Sequence, residues 1–270
     1  MTFFNQAAHG LNGYMRAFGF ALRHGMGWMF LMPALLWVLL AFGLYAVLQG
    51  PVQTLSDWVG GYLAIPVAEG ENGAWHDIKA FINGARGLVV AIVLKLAIAY
   101  LLFVANKYIV LVLLSPLLAY ASERAEEILT GRSWPFSWGR LLKDALRGSL
   151  VALRNGILEL SISVGVWVLT LMVPLFAPLS VVVLFIVSSY FYGFSMFDYL
   201  FERRRLRIGE SVRAVNDRLG AVMANGALFS LLMKLPLLGL MFAPPMAAIG
   251  AVLAEVRMEA RRTKAVPQNG

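Results

Sequence analysis

Two long apolar stretches turn back on themselves at proline-bearing tips that carry no charge, and this limits the chain more than any other feature. The first is uncharged from Leu160 to Phe197, 38 residues, and bends at Pro174-Leu-Phe-Ala-Pro178. The second, Gly220 to Ala254, has 35 residues with Lys234 as its only charge, and bends through Pro236-Leu-Leu-Gly239 to Pro244-Pro245. A helical hairpin that crosses a bilayer twice needs about 20 apolar residues per span, so roughly 40 and a turn. Both stretches fall short, and a tip emerging into water should be polar. They predict helical hairpins that enter from one side and stop short of the other, with Pro174–Pro178 and Pro236–Pro245 buried. Re-entrant backbone is tolerated only where protein covers it or where it lines a wet cavity, which points to a pore or transport protein.

Composition sets the class. The chain is 60% hydrophobic and 14% charged, against about 45–50% and 25% in soluble domains, so an all-α integral membrane protein is expected. Met1 to Gly27 lacks the short apolar core and small-residue cleavage site of a signal peptide. Phe3, Phe4, Leu11, Tyr14, Phe18 and Leu22 recur there at helical spacing, as in an interfacial helix. Absence of cysteine excludes disulfides and thiol chemistry. The net charge of +8 borders the apolar segments with no aromatic-interleaved RNA motif, so the bilayer rather than nucleic acid is the expected partner. His9, His24 and His76 have no carboxylate at ligand spacing, and no phosphate loop, dinucleotide fingerprint or nucleophile elbow is present. Neither an enzyme nor a metal or other cofactor is expected.

Along the chain the expected order is an interfacial helix (1–27), a membrane helix (28–48), an external loop (49–86) and a second membrane helix (87–116). Cytoplasmic helices (117–154), hairpin A (155–200), a basic segment (201–219), hairpin B (220–256) and a tail (257–270) follow. Acidic residues dominate 49–86, whereas Arg132, Arg140, Lys143, Arg147, the 203–207 cluster and Arg257 to Lys264 mark the other loops as basic. The positive-inside rule places those basic loops and both termini in the cytoplasm. This arithmetic fits hairpins that dip and hairpins that cross equally well.

The ionisable residues near the apolar boundaries are the candidate ion path. Asp198 closes hairpin A beside Glu202 and Arg203 to Arg205, where it can pair with an arginine of a neighbouring helix or take part in gating. Arg203 and Arg204 could form an anion-attracting vestibule. Arg205, Arg207, Arg257 and Arg261 suit orientation and lipid headgroups. Lys234 beside the hairpin B tip could attract an anion or snorkel to the interface. Asn106 and Lys107, within the second membrane helix, are the remaining path candidates, and Glu159 should pair locally with Arg154. A helix N-terminus carries about half a positive charge and open N–H groups, so it could help hold an oxyanion. The competing reading is a non-transporting scaffold whose basic loops bind a partner protein or anionic lipid.

Three stretches resemble the CysZ/EI24 family of membrane proteins. They are Ser188 to Leu206 (SSYFYGFSMFDYLFERRRL), Asn225 to Phe229 with Leu235 to Pro244, and Ser115-Pro-Leu-Leu118 ahead of an acidic helix ending in Leu129-Thr-Gly131. The resemblance implies two long membrane helices, two partially inserted helical hairpins and a homo-oligomer in the bacterial inner membrane. In its best-known branch it implies permeation of sulfate for cysteine synthesis. That branch carries a Gly-x-Arg-Arg element before the first membrane helix; here the stretch is Gly25-Met26-Gly27-Trp28, with Arg23 and His24 just upstream.

Overall fold

The computed structural model describes residues 1–62, 73–75, 77–79, 81–85, 89, 92, 112–132, 138–235 and 238–265. Among them there is no strand. The helices are α1 (Phe3–Arg23), α2 (Met32–Tyr62), α3 (Ser115–Thr130), α4 (Trp138–Met172), α5 (Ala177–Arg203), α6 (Ile208–Asn216), α7 (Leu219–Leu232) and α8 (Leu238–Ala265). Single 3-10 turns at Gly27–Phe30 and Pro174–Phe176 lead into α2 and α5. Met1–Ala34 and Leu111–Gly270 make one compact unit; Leu35–Val110 makes another. Among the described residues, four segments are long and apolar enough to cross a bilayer: Gly27–Val47, Leu146–Met172, Pro174–Arg203 and Leu238–Thr263. Helices satisfy their own backbone groups, so this is a multi-pass membrane protein.

Several boundaries differ from those expected. The proposed loop 49–86 begins as helix, because α2 runs through Pro51 to Tyr62. One proline removes a single i→i−4 bond, and the residues around it hold the turn. Hairpin A is longer than its uncharged run: α4 has 35 residues and starts at Trp138, while α5 has 27 and ends at Arg203. The charges at its open end extend the helices because they find partners. Its tip needs only the three-residue turn Pro174–Phe176 and is exposed on the chain, so burial expected at Pro174–Pro178 is not found.

Hairpin B is different in kind. α7 has 14 residues, about 21 Å, too short for a hydrocarbon core of about 30 Å. Its partner α8 is mostly enclosed: 78% of its apolar window is buried, against 6% for Leu146–Met172 and 11% for Pro174–Arg203. The turn lies at Met233 to Leu235 and before Leu238. Pro244 and Pro245 are not part of it, but sit buried inside α8. Neither proline has an N–H, so the i→i−4 bonds to Leu240 and Met241 are missing there. Part of the expected tip, 236–237, lies outside the described residues. Lys234 Nζ stands 5.6 Å from the Phe185 ring centroid, which puts the turn near the level of Phe185. From there α5 extends eight more residues to Ala177, about 12 Å.

Small residues let these backbones touch. Ser189 and Gly193 of α5 face Val222 and Gly226 of α7, and a Cβ at Gly226 would overlap the Ser189 carbonyl oxygen. A Cβ at Gly193 would overlap that of Val222. α1 packs lengthwise against the hairpin with Gly10 over Ala221 and Gly13 over Gly250, and the Tyr14 hydroxyl donates to Ala243 O at 3.4 Å. Gln6 fastens its start: Gly220 N–H donates to Gln6 Oε1 (3.1 Å), and Gln6 Nε2 donates to Asp217 O (2.8 Å). α1 therefore follows hairpin B from Gly220 to Phe242, whose ring meets Phe18 at 5.8 Å. Replacing Gly226 by leucine should lower the melting temperature in detergent sharply, since overpacking costs about 1–3 kcal/mol and here meets backbone. Gly156→Ala, with open space around it, should leave the same melting curve in place.

Candidate functional site

The charged residues at the open end of the hairpins are spaced so that one helix serves several neighbours. Asp198 and Glu202, one turn apart on α5, face Arg147 of α4 at 3.7 and 3.6 Å. Arg147 also donates to Leu206 O at 2.9 Å, and Ser211 of α6 donates its hydroxyl to Asp198. Arg203 points to α3. Its Nε and Nη2 donate to Glu126 Oε2 at 3.0 and 2.8 Å, while Nη1 reaches Ser122 Oγ at 3.0 Å and Nη2 reaches Ser122 O at 3.2 Å. Both side chains are buried, at 6% and 3% exposure. Arg204 hydrogen-bonds Glu259 and lies 3.6 Å from Glu255 and 3.7 Å from Glu126. Arg218, at the start of α7, donates to Glu255 at 2.6 Å and covers the Phe201 ring at 5.1 Å. Five helices are thus clamped at one end by ion pairs.

Charge within the clamp is nearly balanced. Arg203, Arg204 and Arg218 meet Glu126, Glu255 and Glu259, and Arg147 meets Asp198 and Glu202. Burial lowers the Arg204 pKa, but Glu259, Glu255 and Glu126 more than offset this and hold it above the ordinary arginine range. An oxyanion could reach the buried Arg203 only by displacing its carboxylate, and the half-buried Arg204 already faces three. Chemically, the arrangement fixes helix ends.

The candidate path residues therefore fall in different places. Asp198, Arg203 and Arg204 are brought together in the clamp, and the arginine partner expected for Asp198 is Arg147. Lys234 is exposed at the far end, by Phe185. Asn106 and Lys107 lie outside the described residues. Arg205 takes the left-handed conformation (φ 57°) that ends α5, and both it and Arg207 are exposed. Arg257 donates to Asn12 of α1, and Arg261 is exposed near the end of α8. At the departure from the Gly-x-Arg-Arg pattern, Gly25 is left-handed (φ 71°), Arg23 is exposed and the His24 ring bonds Phe20 O at 2.8 Å.

The sequence marks Arg147 only as a loop charge and gives Glu126, Arg218, Glu255 and Glu259 no site role. Glu255 and Glu259, one turn apart just past the apolar run of hairpin B, were the available signal. A second polar seam lies inside hairpin A. Asn155 Nδ2 donates to Ser195 Oγ at 3.2 Å, with its Oδ1 buried and unpartnered. One turn on, Ser188 donates to Glu159, the residue expected to pair with Arg154. Asn225, buried in hairpin B, donates to Ala247 O at 3.0 Å.

A family model described as "Sulfate transporter CysZ/Etoposide-induced protein 2.4" matches residues 14–244. The chain belongs to the CysZ/EI24 family. No individual curated protein matches it. The matched span runs from within α1 to Pro244 and includes the whole clamp except Glu255 and Glu259. At family level the role is that of a sulfate-transporter-like membrane protein, and CysZ/EI24 is a transport family rather than an enzymatic one. The clamp holds this CysZ/EI24 chain's hairpins at their base, so Glu126→Ala should destabilise it by about 3–5 kcal/mol by stranding Arg203 in the interior. Glu126→Leu with Arg203→Met should recover most of that loss in thermal unfolding. Arg124→Ala, which removes an exposed pair with Glu127, should leave the curve unchanged.

Proposed function

We propose that this protein passes a small inorganic anion, sulfate first, across the bacterial inner membrane as a homo-oligomer, with both termini in the cytoplasm. What carries the reading is the transporter-family match over residues 14–244. Three features of the chain support it. α1 and α8 bring the two ends of the chain to the clamp end of the bundle, as the loop charges require. The hairpin B arm α7 is too short to cross, which fits a re-entrant tip. Hairpin A has arms long enough to cross.

The tip supplies the chemistry an anion needs. The C-terminal end of α7 and the N-terminal end of α8 meet there with opposite partial charges, which leaves Lys234 as the net charge. A lysine needs no preformed fork to attract an oxyanion, and over Phe185 its ammonium meets no carboxylate among the described residues. Asn106 and Lys107 are path candidates from the sequence alone, and Asp198, Arg203 and Arg204, each paired with a residue of a neighbouring helix, hold the base of the hairpins.

Purified protein in liposomes should take up labelled sulfate above empty vesicles, with a panel of other anions as competitors. Lys234→Ala should reduce the flux several-fold without moving the melting temperature, and Lys107→Ala should also lower it. Absence of flux for every anion would replace this reading by the scaffold. The chain has no cysteine, so single cysteines report depth directly. Leu175→Cys in hairpin A should react with an impermeant maleimide from the external face, and Leu235→Cys should not. Labelling of both would make hairpin B a full crossing.

A further inference from the structure

α1 divides its surface into three stripes. Gln6, Gly10, Gly13, Tyr14, Ala17 and Ala21 are buried against the hairpin. Phe4, Leu11, Met15, Phe18 and Leu22 form an exposed apolar stripe beside them, with Phe4 82% and Met15 65% exposed. Asn5, Asn12, Arg16 and Arg23 form an exposed polar stripe on the remaining side, with His9 half-buried among them. α8 adds to this last stripe: Arg257 donates to Asn12, and Arg261 follows one turn later.

These cations differ from those of the clamp in one respect. Arg147, Arg203, Arg204 and Arg218 each have a carboxylate within 4.0 Å. Among the described residues, Arg16, Arg257 and Arg261 have none. The positive charge of Arg261 and Arg257 adds to burial in lowering the His9 pKa, as expected where no acid intervenes. Three uncompensated guanidinium groups therefore adjoin an apolar stripe that runs along the same helix. A free anion would need only the charges. A bilayer interface supplies both a phosphate for the guanidinium groups and an acyl boundary for Phe4, Met15 and Leu22.

We propose that Asn12, Arg16, Arg257 and Arg261 form a binding surface for the phosphate headgroups of anionic lipids, with the apolar stripe of α1 set into the adjoining acyl region. Arginine forks take phosphate oxygens in pairs, and the Asn12–Arg257 contact fixes one fork relative to α1. The surface is independent of the transport path and does not require the anion reading.

Native mass spectrometry of the full-length protein, titrated with phosphatidylglycerol or phosphatidylcholine, tests it. Phosphatidylglycerol should bind with at least tenfold preference. Arg16→Gln with Arg261→Gln should weaken it about 30-fold, from about 1 kcal/mol per arginine near a membrane surface, and leave phosphatidylcholine unaffected. Both side chains are exposed, so the fold should survive; Arg261→Gln alone gives the same test at about fivefold. Arg132→Gln with Arg213→Gln removes equal exposed charge elsewhere and should change little. The proposal fails if that control weakens binding equally, if the Arg16 and Arg261 pair does nothing, or if millimolar inorganic phosphate displaces the lipid. Sulfate flux in zwitterionic liposomes should be unchanged by the variants, which separates this surface from the transport reading.

Discussion

The packing of the hairpins above their base depends on Arg203 being neutralised inside the protein. Moving an ion from water into a low-dielectric interior costs several kcal/mol even after relaxation, and only well-formed hydrogen bonds recover it. Arg203 has such bonds: two to Glu126 and two to Ser122. The pair can form only if α3 and the end of α5 meet at a fixed rotation. Arg204 then turns to α8, and Asp198 with Glu202 turns to Arg147 of α4. Successive residues of one helix end are thereby committed to three neighbours, and a rotation of α5 would break all three sets at once.

With the base fixed, the apolar upper part can rely on contact alone. Lipid provides little hydrophobic drive between helices, so association rests on close packing. Gly193 and Gly226 bring α5 and α7 to backbone distance, and Gly13 and Gly250 do the same for α1 and α8. A helix as short as α7 has no independent place in a bilayer. It is held by α1, α5 and α8 together, and Gln6 of α1 supplies an acceptor for its Gly220 N–H. The position of the hairpin B tip follows from the length of α7 measured upward from Arg218 and Glu255.

Much of this was legible in the sequence and part of it was not. The all-α membrane class followed from composition, and the family from Ser188 to Leu206 and its companions. The arginine partner of Asp198 was expected in kind, since an ion at an apolar boundary needs one. Counting uncharged runs underestimates helix length. A helix does not stop at its first charge when that charge is paired, so α4 starts at Trp138 and α5 reaches Arg203. Prolines misled for a related reason. Pro244 and Pro245 look like a bend, yet tertiary contacts enclose them within α8, and the chain turns at Met233 instead. Which glutamate meets which arginine depends on helices far apart in sequence, and no local spacing carries that.

The same sorting bears on where the net charge of +8 resides. The clamp brings four arginines against five carboxylates, Asp198, Glu202, Glu126, Glu255 and Glu259, so it contributes nothing to the excess. The surplus must sit on residues outside it, among them Arg16, Arg205, Arg207, Arg257 and Arg261. A long-range field would come from these exposed groups, not from the buried Arg203 or the half-buried Arg204, whose fields are cancelled within a few ångströms by their carboxylates. Exposed charges are screened over about 8 Å at physiological salt, whereas the clamp is screened little. The basic sequence between the hairpins therefore has two physical parts: Arg203 and Arg204 hold the fold, and the arginines that follow them face the surroundings.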